Sequence, residues 1–124
     1  MRVLVTGGAG FIGSNLCRRL ASGQVAGIDA VIALDDLSTG FAHNLDGVDV
    51  EVVKGSILDP DALRRASSGA TAIVHLGALG SVPRSVADPV ATHLANASGT
   101  LAVLEVARNV ILLAVALIAF AGAA

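Results

Sequence analysis

Near the amino terminus an apolar run from Arg2 to Thr6 passes directly into glycine: Thr6-Gly7-Gly8-Ala9-Gly10-Phe11-Ile12-Gly13. No other stretch narrows the possible folds as far. β-Branched and aliphatic residues in an unbroken run predict a short buried strand. The spacing of Phe11, Ile12, Leu16 and Leu20 predicts a helix over 11–22, with Gly23 as its stop. Glycines between a strand and a helix do three things. The early ones allow a tight turn, a middle one lets the backbone approach a ligand, and the last lets the helix pack on the strand. Two spacings fit the same residues, Gly8-x-Gly10-x-x-Gly13 and Gly7-x-x-Gly10-x-x-Gly13. In both, the amides of the first helical turn face outward, where the helix dipole favours an anion.

The rest of the chain repeats the alternation. Ala30 to Leu34 is a second apolar run, closed by Asp35-Asp36, and Leu37 to Gly47 is loop-like, with Ser38-Thr39-Gly40 as turn chemistry. Val48 to Lys54 alternates Val with charge, as a strand with one wetter face does. Asp59-Pro60 opens a helix to about Ser68, with Asp as cap and Pro at the first helical position. Thr71 to Leu76 is the next buried strand. Asp88-Pro89 repeats the cap signal ahead of a long helix reaching about Arg108. The order β-α-β-β-α-β-α implies an α/β fold. Its sheet is mainly parallel and covered on both faces, the doubly wound Rossmann type.

Asp35 gives the glycine turn a partner. It closes the second strand, 22 residues beyond Gly13. A carboxylate there accepts from both hydroxyls of an adenosine ribose and repels a 2′-phosphate. No Arg or Lys lies between Arg19 and Lys54 to offset that repulsion. The expected cofactor is NAD rather than NADP. A purely structural glycine turn with no ligand is the alternative.

Composition excludes several other classes. The 124 residues suit one domain, and a net charge of −2 gives no ground for nucleic acid or an anionic membrane. Arg18-Arg19 and Arg64-Arg65 are isolated pairs, read as solvated helix faces. Cys17 is the only cysteine, so no internal disulfide forms, and a reducing, cytoplasmic setting is expected. Within its helix Cys17 reads as a buried thiol. Val3 to Val5 is too short for a signal peptide. His43, His75 and His93 are scattered and have no cysteine partner, which argues against a metal site. His75, at the end of a buried strand, reads as a satisfied core histidine.

Several motifs together resemble one family. They are Thr6–Ser14, Asp35-Asp36-Leu37-Ser38-Thr39-Gly40, His75-Leu76-Gly77-Ala78 and Asn96-Ala97-Ser98-Gly99-Thr100. In this order they resemble the NAD-dependent sugar epimerase/dehydratase family, the extended short-chain dehydrogenases typified by UDP-glucose 4-epimerase. Ala78 to Ser85 is most similar to the branch acting on UDP-hexoses. The resemblance implies that Gly7, Gly10, Phe11, Ile12 and Gly13 line the pyrophosphate. It implies that Asp35 holds the adenosine ribose, supported by Asp36 and Ser38, and that Ser56 and Ile57 meet adenine. Ser56 departs from the family's usual Asp. Leu76, Gly77 and Ala78 would line the inner cofactor site and Asn96 would buttress it. Ser81 and Arg84 are the candidate substrate contacts. Arg84 is placed in a loop, where a loop-bracing salt bridge is the alternative.

The family's chemistry also resembles hydride transfer aided by a Tyr-x-x-x-Lys pair, and this sequence has no tyrosine and only one lysine, Lys54. No catalytic residue is therefore assigned. The expected division is a cofactor-binding portion, 1–109, and an apolar tail, 110–124. A fifth strand is expected near Val110 to Val115, after which the tail departs from the family pattern. At fifteen residues the tail falls short of the roughly 20 that span a bilayer as a helix. The chain reads as the truncated N-terminal part of an epimerase or dehydratase. A stand-alone NAD-binding module is the other reading. Nucleotide-sugar is expected as partner only where the missing half is supplied. The apolar tail and an uncovered sheet edge point to homo-oligomerisation.

Overall fold

A computed structural model describes residues 1–108 and the strand 112–115. Five parallel strands form one sheet: β1 (Arg2–Thr6), β2 (Ala30–Asp35), β3 (Glu51–Lys54), β4 (Ala72–His75) and β5 (Leu112–Val115). Their spatial order is β3-β2-β1-β4-β5. The chain first steps outward from β1 to β3, then returns to the other side of β1. The order therefore reverses between β1 and β4, the switch point at which sheets of this kind form a ligand crevice beyond the strands' carboxyl ends. This is the doubly wound arrangement the alternation implies.

Period-two alternation sends β1 side chains to two cores. Leu4 packs with Ile32, Leu34, Ile73, Ala62, Leu63 and Val103 beneath α2 (Pro60–Ser67) and α5 (Gly99–Ala107). Val3 and Val5 pack with Val31, Ala33 and Cys17 beneath α1 (Phe11–Ala21). Burial of both faces explains why β1, β2 and β4 read as unbroken apolar runs.

Three elements differ from the sequence expectation. β3 begins at Glu51 rather than Val48. Residues 48–50 are held instead by tight turns, Val48 N to Leu45 O at 3.1 Å and Val50 N to Val48 O at 2.9 Å, and Val48 and Val50 pack under the sheet. The 37–47 loop contains a 3-10 turn, Ala42–Leu45, anchored by buried Leu45. Residues 82–87, expected as loop, form a short helix, α3 (Val82–Ala87). Ser81 caps it through Arg84 N, and a proline sits in its first turn. That cap-and-proline signal is akin to the one that marks α2.

The long helix after Asp88-Pro89 is present but not uniform. α4 (Pro89–His93) continues through a π turn, Leu94–Ser98, into α5 without leaving helical backbone angles. β5 hydrogen-bonds in parallel to β4 from Leu112 to Val115. Val110 and Ile111, also expected in that strand, lie outside the described residues.

Candidate functional site

The glycine turn sits at the carboxyl end of β1, beside the crevice. Gly7 adopts φ +71°, a conformation that side-chain-bearing residues rarely take. A Cβ there would also stand 2.9 Å from Gly77 N. Gly10 N bonds back to Gly7 O at 3.2 Å. A Cβ on Gly13 would overlap the same carbonyl oxygen. Gly7, Gly10 and Gly13 thus converge on one peptide group, which favours the wider of the two spacings. Gly8 belongs to the core, where a Cβ would meet Ala33 Cβ at 2.5 Å.

Helix α1 starts immediately afterward, with Gly10 at its N-cap and no side-chain cap. Its first amides have no intrahelical acceptor. Phe11 projects outward, 84% exposed, so the buried face of α1 is Gly13, Ser14 and Cys17. A groove of about 550 Å³ runs from Gly10 and Phe11 past Arg18 to Thr39 and Phe41.

Asp35 lies at the end of β2, facing this turn. Its Oδ2 accepts from Ala9 N at 2.9 Å and its Oδ1 from Leu37 N at 2.8 Å. Each oxygen keeps lone-pair capacity for a further donor. Ala9 O accepts from Phe41 N at 3.2 Å and from Asn44 Nδ2 at 2.9 Å. The 37–44 segment is thereby folded onto the turn. Asp36 is exposed and caps the same loop by accepting from Ser38 N at 2.9 Å.

Ser56 and Ile57 follow β3. Ser56 Oγ accepts from Leu58 N at 3.0 Å, which leaves its proton free to donate. Ile57 packs its tip against Gly99 of α5, where any side chain would collide with it.

On the other side of the crevice, buried His75 joins β4 to α5. Thr6 and His75 are register partners in adjacent strands. Thr6 Oγ1 accepts from Leu76 N at 3.2 Å and Gly77 N at 3.1 Å, and meets His75 Nδ1 at 2.6 Å. Leu76 N is shared with the Thr6 carbonyl at 3.1 Å. Because Thr100 gives its one proton to Asn96 O, Thr100 can only accept from Nε2, and the Thr6 hydroxyl donates to Nδ1. The neutral ring therefore carries its proton on Nε2, which donates to Thr100 Oγ1 at 3.0 Å. Thr100 in turn donates to Asn96 O at 2.7 Å. Burial pushes the His75 pKa below its ordinary 6.5 because the low-dielectric interior disfavours the charged ring. The core-histidine reading holds.

Asn96 buttresses the loop after β4. Its Oδ1 accepts from Leu79 N at 2.7 Å and its Nδ2 donates to Leu79 O at 2.9 Å. Ala78 lies beside this clamp. Ser81 Oγ caps α3 by accepting from Arg84 N at 3.3 Å, and Arg84 stands exposed on that helix rather than in a loop. Among the described residues Arg84 forms no salt bridge, so the loop-bracing alternative is not seen. No cluster of metal-ligating side chains occurs among the described residues, and no helix there is long and apolar enough to cross a membrane.

Four partners escaped sequence reasoning. Asn44 has no local signal, because its role depends on how a loop folds back. Thr6, Thr100 and the Ala9 peptide had weak ones. Thr100 lies four residues beyond Asn96, on the same helix face, and Thr6 ends the strand beside His75.

The sequence profile of the NAD dependent epimerase/dehydratase family matches residues 3–123. The chain belongs to that family. It is 44% identical over 113 residues to a UDP-glucose 4-epimerase of Mycolicibacterium smegmatis, covering 87% of this chain and 35% of that protein. It is 39% identical to a dTDP-glucose 4,6-dehydratase of Streptomyces niveus, covering 88% and 34%. Among solved structures, the Thermus thermophilus UDP-glucose 4-epimerase in complex with NAD superimposes with a TM-score of 0.77 at 38% identity, over 87% of this chain and 34% of that one. A Streptomyces venezuelae dTDP-glucose 4,6-dehydratase with NAD bound gives 0.84 at 39% identity, over 91% and 38%. The chain spans about a third of the length of the curated relatives it matches.

Proposed function

We propose that this chain binds NAD across the crevice between β1 and β4, as the cofactor-binding portion of a nucleotide-sugar epimerase or dehydratase resembling UDP-glucose 4-epimerase. The observation that carries this reading is the convergence of Gly10 and Gly13 on the Gly7 carbonyl. It leaves a cradle without side chains at the bare start of α1, and such a cradle suits a pyrophosphate.

Gly7, Gly10, Phe11, Ile12 and Gly13 would line the pyrophosphate. Asp35 would accept from the ribose hydroxyls with its remaining lone pairs, while Asp36 and Ser38 shape the loop beside it. Ser56 and Ile57 would meet adenine, and the free Ser56 proton suits a ring nitrogen. Leu76, Gly77 and Ala78 would line the inner half, with Asn96 holding them through Leu79. Ser81 and the exposed Arg84 would be the sugar-nucleotide contacts. Bound NAD supplies a hydride acceptor and donor. Residues 1–109 form the cofactor-binding portion, and the tail 110–124 contributes the fifth strand.

The chain has no tyrosine, and its one lysine, Lys54, ends β3. Among the described residues the one imidazole beside the inner site, His75, is buried with both ring nitrogens bonded, so this chain would not turn over a sugar nucleotide alone. The same observation supports a second reading, an NAD-binding module without catalysis. Calorimetric titration tests the shared claim. NAD is expected to bind with one site per chain and NADP far more weakly. No saturable NAD binding, or a preference for NADP, would overturn it. Turnover of UDP-glucose by the 124-residue chain would overturn the claim of incompetence.

A further inference from the structure

We propose that His75 is a positioning residue: through Thr6 on one side and Thr100 on the other, it locks segment 76–79 into the shape that receives the inner half of the dinucleotide. This rests on the reading that NAD lies across the crevice.

The bonds form a chain with one consistent direction. Leu76 N and Gly77 N donate to Thr6 Oγ1, Thr6 donates to His75 Nδ1, His75 Nε2 donates to Thr100, and Thr100 donates to Asn96 O. The far end of segment 76–79 is gripped by the Asn96 carboxamide on both polar atoms of Leu79. One network therefore fixes Leu76 and Gly77 from β1 and Leu79 from the helix, and His75 is the link between the two.

The π turn gives that link its purpose. Within Leu94–Ser98 the helix winds wider than an α-helix. The Thr100 hydroxyl bonds Asn96 O at 2.7 Å within this wider turn. Asn96 is thereby held in the orientation that clamps Leu79. No buried side-chain polar atom among the described residues lacks a partner. A second proton on His75 would place Nδ1–H against a Thr6 hydroxyl that already accepts from Leu76 N and Gly77 N. His75 is thus built to hold geometry rather than to exchange protons.

The same geometry separates the two halves of the cofactor. Asp35 and the start of α1 are tied together through Ala9, independently of His75. Disturbing the His75 link should then weaken ligands that reach segment 76–79 and spare those that stop at the diphosphate.

The test uses the full chain with NAD and with ADP. Thr100→Val keeps the side chain's shape and removes the acceptor for Nε2–H, whereas Thr100→Ser keeps the hydroxyl. Thr100→Val is expected to weaken NAD about tenfold, as the fraction of chains holding segment 76–79 in its receptive shape falls by that factor, and to leave ADP within about twofold. Thr100→Ser is expected to restore NAD affinity to within about threefold of the original chain. Nitrogen-15 spectra of the unaltered chain at neutral pH should show His75 as the Nε2–H tautomer, a readout that does not depend on any variant folding. An Nδ1–H tautomer or a charged ring overturns the proposal. So does an NAD affinity that Thr100→Val leaves unchanged or lowers in step with ADP, or one that Thr100→Ser fails to restore. If the unaltered chain binds no NAD, the functional reading itself falls. If NAD binds but ignores Thr100→Val, only the positioning role falls.

Discussion

Asp35 Oδ2 accepts a hydrogen bond from Ala9 N at 2.9 Å, tying the end of β2 to the turn between β1 and α1. The second oxygen takes Leu37 N at 2.8 Å. The carboxylate therefore organises the turn and the following loop before any ligand arrives. An amide at this position can accept on only one atom and would turn its NH₂ toward an N–H. Asp35→Asn is expected to lower unfolding stability by about 1–3 kcal/mol and NAD affinity by at least about tenfold. Urea unfolding and calorimetry read the two effects. A variant that retains both values would show that the charge organises nothing.

Gly10 and Gly13 should respond differently to alanine. At Gly13 a Cβ would overlap the Gly7 carbonyl oxygen and crowd Gly7 C and Gly8 Cα, which are backbone atoms and cannot rotate aside. Gly13→Ala is expected to cost at least about 2 kcal/mol through overpacking. At Gly10 the nearest atom to a Cβ is Gly7 O at 3.3 Å, so Gly10→Ala should fold to within about 1 kcal/mol of the original. The added methyl would instead occupy the cradle and reduce NAD binding. Equal stability losses in the two variants would contradict this division.

Burial of His75 links stability to pH. Its folded-state pKa lies below the ordinary 6.5, so below that pH the unfolded chain binds a proton that the folded chain refuses. Stability from this group is complete above 6.5 and is lost as pH falls from there toward the folded pKa. The slope approaches about 1.4 kcal/mol per pH unit at most. Denaturant midpoints measured between pH 7 and pH 5 should fall accordingly, and His75→Gln should flatten the curve. An unchanged slope in that variant would assign the effect to other groups.

Cys17 is fully buried on α1, and loss of solvation pushes its thiol up to about 11. Reactivity depends on the thiolate and on access. A disulfide reagent such as dithionitrobenzoate is expected to leave the native chain unlabelled over minutes at pH 8 and to label one thiol per chain in guanidinium. Prompt native labelling would mean that α1 opens readily from the sheet.

Local patterns in the sequence determined the strands β1, β2 and β4, the caps of α2 and α4, and the turn that begins α1. Each depends on neighbours in the chain. An apolar run must be buried, Asp-Pro must start a helix, and glycine must relieve a turn that any side chain would block. The same locality made Asp35 legible, because the end of a strand is a fixed place in this fold. The start of β3 was not legible, since Val48 and Val50 suit a strand and only the pairing with β2, which begins at Ile32 and Glu51, sets where the strand starts. Helix α3 carried its Ser-x-Pro signal in a stretch otherwise short enough to pass as loop.

Tertiary structure alone decided which glycine spacing is used, because Gly7, Gly10 and Gly13 meet on one carbonyl only once α1 has docked. It also decided the His75 network. Thr6 and Thr100 are 94 residues apart, and nothing in either neighbourhood specifies that one imidazole will bridge them. Parallel register places Thr6 beside His75, and packing of α5 on the sheet brings in Thr100. The glycine turn fixed what this end of the fold can receive. The direction of each bond that shapes the opposite side of the crevice depends on donors and acceptors that only folding brings within reach.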